Sequence, residues 1–233
     1  MRADRVSGTE GYAEAAATLI ESKLPFVDLH RPVLHLIPTR PSNILDVGSG
    51  PGHDAAAFAE MGHRVVAVEP TRELRVAATA LYPSPLIEWV DDSLPSLNSI
   101  LMRGEAFDLI MISGVWIHLD QLQRRTAMPA VASMLAAHGS LIMSLRHGVV
   151  PRGRRMFEVT AEETIALAHE AGLHPIVNLQ TASVHPANRA AGVSWTRLAL
   201  QRRPRRMGPA QGRGDEMEAT ETKTARLTAR RFD

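Results

Sequence analysis

The stretch "NILDVGSGPGHDAAAFAEMGHRVVAVEP", from Asn43 to Pro70, constrains the fold more than any other part of this chain. Two short apolar runs, 43–47 and 64–68, flank a helical pattern over about 53–61, and a glycine-rich turn joins the first run to that helix. Strands that run parallel need a crossover long enough to pack on the sheet, and a helix of this length supplies it. The stretch therefore reads as strand, turn, helix, strand.

The alternation continues along the chain. A helix is expected at about 72–80 and a strand at 86–90, followed by a turn-rich stretch. Then come a strand at 107–112 ("FDLIMI"), a helix at about 121–137, a strand at 140–145 ("SLIMSL") and a helix at about 161–171. Thr160 and Glu163 have capping-box spacing, and Gly172 stands where that last helix should stop. After it the pattern changes: "HPIVNLQ" and "SWTRLALQR" are strand-like runs joined by the loop "TASVHPANRAAGV", with no helix between them. Two such runs make an antiparallel pair at one sheet edge. The inventory is seven strands in an α/β arrangement, five of them linked by crossovers. Ahead of the first strand, apolar residues from Leu19 to Ile37 indicate two short helical pieces, broken near Pro25 and Pro32.

Composition limits the rest. A chain of 233 residues is best read as one domain with an appendage. A net charge of +1 gives no overall pull toward nucleic acid or membrane, and the lack of cysteine removes disulfides, thiolate nucleophiles and cysteine-ligated metals. No metal site is expected. Residues 201–233 hold 9 Lys/Arg against 5 Asp/Glu, whereas the preceding 200 hold 17 against 20, so the basicity sits in the tail. That tail, 202–233, has few large apolar residues and is expected to be disordered. The N-terminus lacks a continuous apolar signal core, and no run approaches the roughly 20 apolar residues of a spanning helix, so a cytoplasmic protein off the membrane is expected.

The turn "DVGSGPGHD" follows a strand and opens a helix, so its amides suit a nucleotide-bearing ligand, with Gly48 and Gly50 letting backbone approach it closely. Glu69 ends the next strand about 20 residues later, where an acid accepts hydrogen bonds from both ribose hydroxyls. An adenosine-type ligand is the expectation. A dinucleotide-dependent dehydrogenase is the rival, but its G-x-G-x-x-G spacing differs from the G-x-G-x-G of Gly48 to Gly52, and no room for a substrate domain is evident. A tight turn is the plainer reading of Gly50 and Gly52, and a solvated strand-end acid that of Glu69.

"ILDVGSGPGHDAAAFAEMGHRVVAVEP" closely resembles motif I and the following acidic strand end of class I S-adenosylmethionine-dependent methyltransferases. The resemblance covers about residues 10–201 and is specific in its first half. It implies a Rossmann-like, seven-stranded, mostly parallel sheet with an antiparallel last strand and helices on both faces. It also implies three segments: a helical segment over 1–42 that covers the cofactor, a catalytic domain over 43–201, and the tail. The implied cofactor is S-adenosyl-L-methionine. Gly48, Ser49, Gly50 and Gly52 would line it, Asp46 would hold the loop and help bind the amino group, and Glu69, with Pro70 beside it, would grip the ribose. Asp92 matches the acid that accepts from the adenine amino group, with Ser93 beside it; Asp91 competes by one residue, and an Asx turn or helix cap fits both. Tyr12 falls where family members place a helix that lids the cofactor, and also fits an ordinary amphipathic helix.

The acceptor should approach at the ends of the fourth and fifth strands. The fourth leads into "SGVWIHLD", Ser113 to Asp120, which lacks the Asn/Asp-Pro-Pro-aromatic motif of amino-adenine and glutamine methylating branches. It resembles the small-molecule branch instead, where Ser113 would border the cofactor, Trp116 would shape the acceptor pocket and His118 would take the acceptor's proton. A helix-start histidine that merely packs fits His118 equally well. Beyond the fifth strand, "RHGVVPRGRRMFEV" carries His147, Arg154 and Arg155 in a Pro/Gly-punctuated loop, read as an acceptor cover with His147 and Arg155 on the acceptor, or as a solvated basic loop. The hairpin loop with His185, Asn188 and Arg189 has a similar character. O- or N-methylation of a small molecule is the leading expectation, with the oligomeric state open. Methylation of RNA or protein is second, held back by aromatic residues at only 4% and no stacking platform for bases. A cofactor-binding regulatory subunit without catalysis is third, since fold alone does not transmit function.

Overall fold

The structure, a computed structural model, describes residues 6–22 and 24–202. Apart from Arg202, the expected disordered tail lies outside the described residues. The chain opens with two short helices, α1 (Ala16–Glu21) and α2 (Phe26–His30), and a 3-10 turn at Arg31–Leu36. Pro25 stands at the start of α2, and Pro32 lies in the first turn of the 3-10 segment, where its missing N–H costs nothing.

The alternating core then follows as β1 (Asn43–Val47), α3 (His53–Glu60), β2 (Arg64–Val68), α4 (Arg72–Leu81), β3 (Ile87–Val90) and α5 (Asn98–Leu101). It continues with β4 (Phe107–Ser113), a 3-10 turn at Trp116–His118, α6 (Gln121–Ser133), β5 (Leu135–His147) and α7 (Ala161–Glu170). The last elements are β6 (Leu173–Ala182), α8 (Pro186–Ala190) and β7 (Ser194–Arg202). The strand order is β3-β2-β1-β4-β5-β7-β6. All pairings from β3 to β5 are parallel, and β7 runs antiparallel to both β5 and β6. This is the Rossmann-like arrangement with seven strands and an antiparallel last one. The strand order reverses between β1 and β4, and ligands of open α/β sheets bind at the carboxyl ends of the strands at such a point.

The central strands are buried on both faces, so two cores form. On one face Leu45, Val66, Ile110, Leu141 and Leu198 pack with Met128 and Val131 of α6 and Ala168 of α7. On the other Ile44, Val65, Leu109, Ile142 and Ala199 pack with Phe58 of α3 and with Val33 and Ile37 of the N-terminal segment. The N-terminal residues are therefore part of the second core. α6 ends at Ser133, four residues short of the expected 137, because β5 pairs with β4 from Leu135 onward across an irregularity between Phe107 and Leu109. The four-residue α5 and five-residue α8 were read as turn and loop; neither is long enough to show a period.

Candidate active site

The turn between β1 and α3 follows from three glycines with positive φ, 69° at Gly48, 55° at Gly50 and 85° at Gly52, which together bend the chain from strand to helix. They are not equivalent. A Cβ on Gly50 would meet no atom within 4 Å, so this position faces open space. A Cβ on Gly48 would stand 2.4 Å from a methyl of Val115, and one on Gly52 would stand 2.5 Å from the Trp89 ring. Gly50 thus leaves room for a ligand, Gly48 lines the cavity while accommodating Val115, and Gly52 lies off the cavity and serves helix–strand packing.

Glu69 lies just beyond β2, and its carboxylate closes the turn. Its Oε2 accepts from the Gly50 N–H at 2.9 Å and its Oε1 from the Thr71 N–H at 2.7 Å. Arg75 donates to the Glu69 carbonyl at 2.6 Å and pairs with exposed Asp91, also at 2.6 Å. Asp46, at the end of β1, is 2% exposed, and its Oδ2 has no hydrogen-bond partner. Burial, with Asp54 and Glu69 nearby, raises the Asp46 carboxyl well above its ordinary range, and burial raises Glu69 too. Asp54 is held at 2.8 Å by buried His30 of α2. Three carboxyl groups around one turn, one with an orphaned oxygen, leave a place for a cation, and an unpaired buried acceptor calls for a ligand donor.

These residues line a cavity of about 290 Å³. It brings together Tyr12, Asp46, Gly48, Ser49, Gly50, Glu69, Pro70, Asp92, Ser93, Ser113 and His118, eleven of the residues singled out in the sequence. Asp92 also caps α5: its carboxylate accepts from Ser93 N–H at 2.7 Å, Ser99 N–H at 2.7 Å and Ile100 N–H at 3.3 Å. Asp91 lies outside the cavity, so of the two acids Asp92 is the one that faces it. The Ser113 Oγ meets the Ser144 Oγ at 3.2 Å where β4 and β5 pair.

His118 closes a 3-10 turn immediately before α6 and is buried. Its Nδ1 lies 2.6 Å from the Arg155 carbonyl, which can only accept, so Nδ1 carries the proton. The other nitrogen, Nε2, then accepts from the Tyr12 hydroxyl at 2.8 Å. Desolvation lowers the His118 pKa below 6.5 and raises that of Tyr12 above 10.0, so both are neutral near pH 7. The Arg154 guanidinium stacks 3.5 Å from the Tyr12 ring centroid. A Cβ on Gly8 would stand 3.1 Å from the His118 Cβ, so the N-terminal residues lie directly over the histidine.

Three sequence readings need correction. Trp116 does not wall an acceptor pocket: it is fully buried in the α6-side core, because the 3-10 turn points its ring inward. His147 ends β5 with its Nε2 on the Thr196 hydroxyl at 2.7 Å and is not on the cavity wall. Arg155 does not reach the cavity either; its guanidinium bonds Ser7, pairs with Asp120 at 3.3 Å and lies over Phe157, tying the N-terminal segment to the loop. Its carbonyl fixes the His118 tautomer. Sequence reasoning missed Asp54 and His30, which no local motif marks and which only the packing of α2 against α3 brings together.

A scan of family models matches residues 44–139 to a methyltransferase domain. Over that segment, less than half of its length, the chain is similar to methyltransferases. Two uncharacterized methyltransferases from strains of Mycobacterium leprae are 38% identical to it over 81 residues, 34% of this chain. The match spans 28% of those relatives' length. The methyltransferase fold recurs in the N-methyltransferase NodS from Bradyrhizobium japonicum, solved with S-adenosyl-L-homocysteine, with a TM-score of 0.63 at 18% identity over 83% of this chain and 100% of that one. A second likeness is to the 1,6-didemethyltoxoflavin-N1-methyltransferase of Burkholderia thailandensis, at TM-score 0.57 and 21% identity over 88% and 94%. Among the described residues, no helix is long and apolar enough to cross a membrane.

Proposed function

We propose that the chain transfers the methyl group of S-adenosylmethionine to an oxygen or nitrogen of a small-molecule acceptor. The observation that carries this reading is a shared space: the acidic glycine turn and the Tyr12–His118 pair line one cavity. When bound, the cofactor supplies an electrophilic methyl on a positively charged sulfonium. Asp46, with its free oxygen, would take the cofactor's ammonium, Glu69 and the turn would hold its ribose, and Asp92 with Ser93 would face its adenine. Gly52 would act only through the shape of the turn.

Methyl transfer to a neutral O–H or N–H leaves a proton to be removed. Tyr12 and His118 both line the cavity and share a hydrogen bond, so the acceptor's proton would pass to the Tyr12 oxygen as the Tyr12 proton moves to His118 Nε2. The Arg155 carbonyl, accepting from Nδ1, stabilises the imidazolium that results. Positioning and exclusion of water supply the rest of the rate, since in-line displacement needs little else.

Residues Val6 to Thr9 and Tyr12 form part of the cavity wall, and this cover favours an acceptor small enough to enter beneath it over an RNA or protein chain. The names of the NodS and toxoflavin-precursor enzymes point to nitrogen as methyl acceptor in those proteins, which supports N-methylation as an option here. The test is to incubate the full chain with S-adenosylmethionine and a panel of small amines, phenols and carboxylates, then with total RNA and a peptide mixture, and to follow S-adenosylhomocysteine. Turnover with small molecules alone is expected; methylation of RNA or peptides alone would overturn the acceptor class.

A further inference from the structure

Strand pairing sets a polar row on the sheet face that carries Asp46. Ser113 of β4 pairs with Ser144 of β5, which pairs with Arg197 of β7, and residues paired across strands project to the same face. Ser113 lines the cofactor-side cavity, and Arg197 lies two strand spacings away, roughly 10 Å.

Arg197 is 3% exposed and its Nε has no hydrogen-bond partner. Among the described residues it has no ion-pair partner, and its neighbour of interest is the Trp195 ring at 5.4 Å. Buried arginines normally meet carboxylates or phosphates, because a desolvated charge without a counter-charge is costly. Arg197 instead lines a second cavity, of about 370 Å³, whose wall also carries Leu24, Leu29 and Val184 and whose other charged groups are Arg189, Arg31 and Asp28. Asp28 is engaged by Arg31 at 2.7 Å, and Asp54, the carboxylate that acts on Arg197 electrostatically, is engaged by His30. Leu24 and Leu29 line both cavities, so the two spaces share a wall.

We infer that this second cavity is the recognition subsite for the methyl acceptor, and that it takes an organic anion, a carboxylate or phosphate on an apolar body. Arg197 binds the anion from the sheet, Arg189 screens it from α8, and Leu24, Leu29 and Val184 hold the apolar part. The inference rests on the methyltransferase reading for the word acceptor; the anion site itself rests on Arg197.

The test titrates the full chain with benzoate, phenyl phosphate and neutral benzamide, and in parallel with S-adenosylmethionine. Binding of benzoate or phenyl phosphate, with benzamide at least tenfold weaker, is expected, and the stronger of the two anions tells carboxylate from phosphate. Arg197→Gln should weaken the anion at least tenfold, Arg197→Lys should restore part of it, and exposed Arg189→Gln should cost several-fold, all with unchanged cofactor affinity. Should Arg197→Gln fail to fold, Arg189→Gln and the anion-to-amide contrast decide. Equal binding of benzamide and benzoate, or an Arg197→Gln chain that binds cofactor and anion like the parent, would overturn the subsite. A parent chain that binds no S-adenosylmethionine would overturn the enzymatic reading and the acceptor assignment with it, whereas anions failing in a chain that binds cofactor would overturn the subsite alone.

Discussion

The Tyr12 hydroxyl donates to the Nε2 of His118 at 2.8 Å, across 106 residues of sequence. The pair ties the N-terminal cover to the turn after β4, so removing either partner tests chemistry and cover together. Tyr12→Phe should lose the proton route while keeping the ring under Arg154, and His118→Ala should lose the base; each should lower kcat by roughly 100-fold. Cofactor affinity should change little in either. Unchanged kcat in both variants would make the pair a structural clasp.

Turnover should depend on pH through His118. Its pKa lies below 6.5 because burial disfavours the imidazolium, so the base form persists to lower pH than for an exposed histidine. Activity should therefore hold at pH 6.5 and fall only on further acidification, a limb that a kcat profile would read. A fall centred above pH 6.5 would point to a different base.

The two inner glycines should separate stability from binding. Gly48→Ala drives a methyl into Val115 and should cost about 2 kcal/mol, lowering Tm by roughly 6 °C. Gly50→Ala meets no protein atom, so its Tm should fall by less than that of Gly48→Ala, yet its methyl enters the ligand space and should weaken the cofactor. Melting curves and titration calorimetry on both variants give the comparison; equal losses of Tm with equal affinities would contradict the division.

Cofactor binding should release protons. Asp46 has a folded pKa well above 3.8, and Glu69 one above 4.5, so the folded chain holds protons that the unfolded chain has already lost. Stability of the free protein therefore falls as pH rises from the ordinary carboxylate range through these raised values. A bound cation favours the ionised carboxylates, so affinity should rise across the same interval, with proton release visible as buffer-dependent heat. Asp46→Asn should stabilise the free chain at pH 7 and remove much of that heat. No buffer dependence in the parent would sink this assignment.

The succession of strands along the chain and the glycine turn were legible because they depend on local pattern: β1 and β2 fall at 43–47 and 64–68 as read. What the sequence hid is tertiary. His118 shows no sign of Tyr12 or of the Arg155 carbonyl, since both arrive from distant segments. Trp116 looked like a pocket wall because its neighbours follow a strand end, yet the 3-10 turn rotates it into the core. Arg197 read as one residue of a strand, and only the β5–β7 register with the packing of α2 shows it lining a cavity.

The central claim is that the acidic glycine turn holds S-adenosylmethionine. Titration calorimetry of the full chain and of Glu69→Gln, with S-adenosylmethionine and with NADH, tests it most directly. The carboxylate closes the turn through Gly50 and Thr71, so the variant should bind S-adenosylmethionine at least tenfold more weakly than the parent, roughly 1.4 kcal/mol, while neither chain takes NADH. Equal affinity of the two chains for S-adenosylmethionine, or tight binding of NADH, would contradict the account.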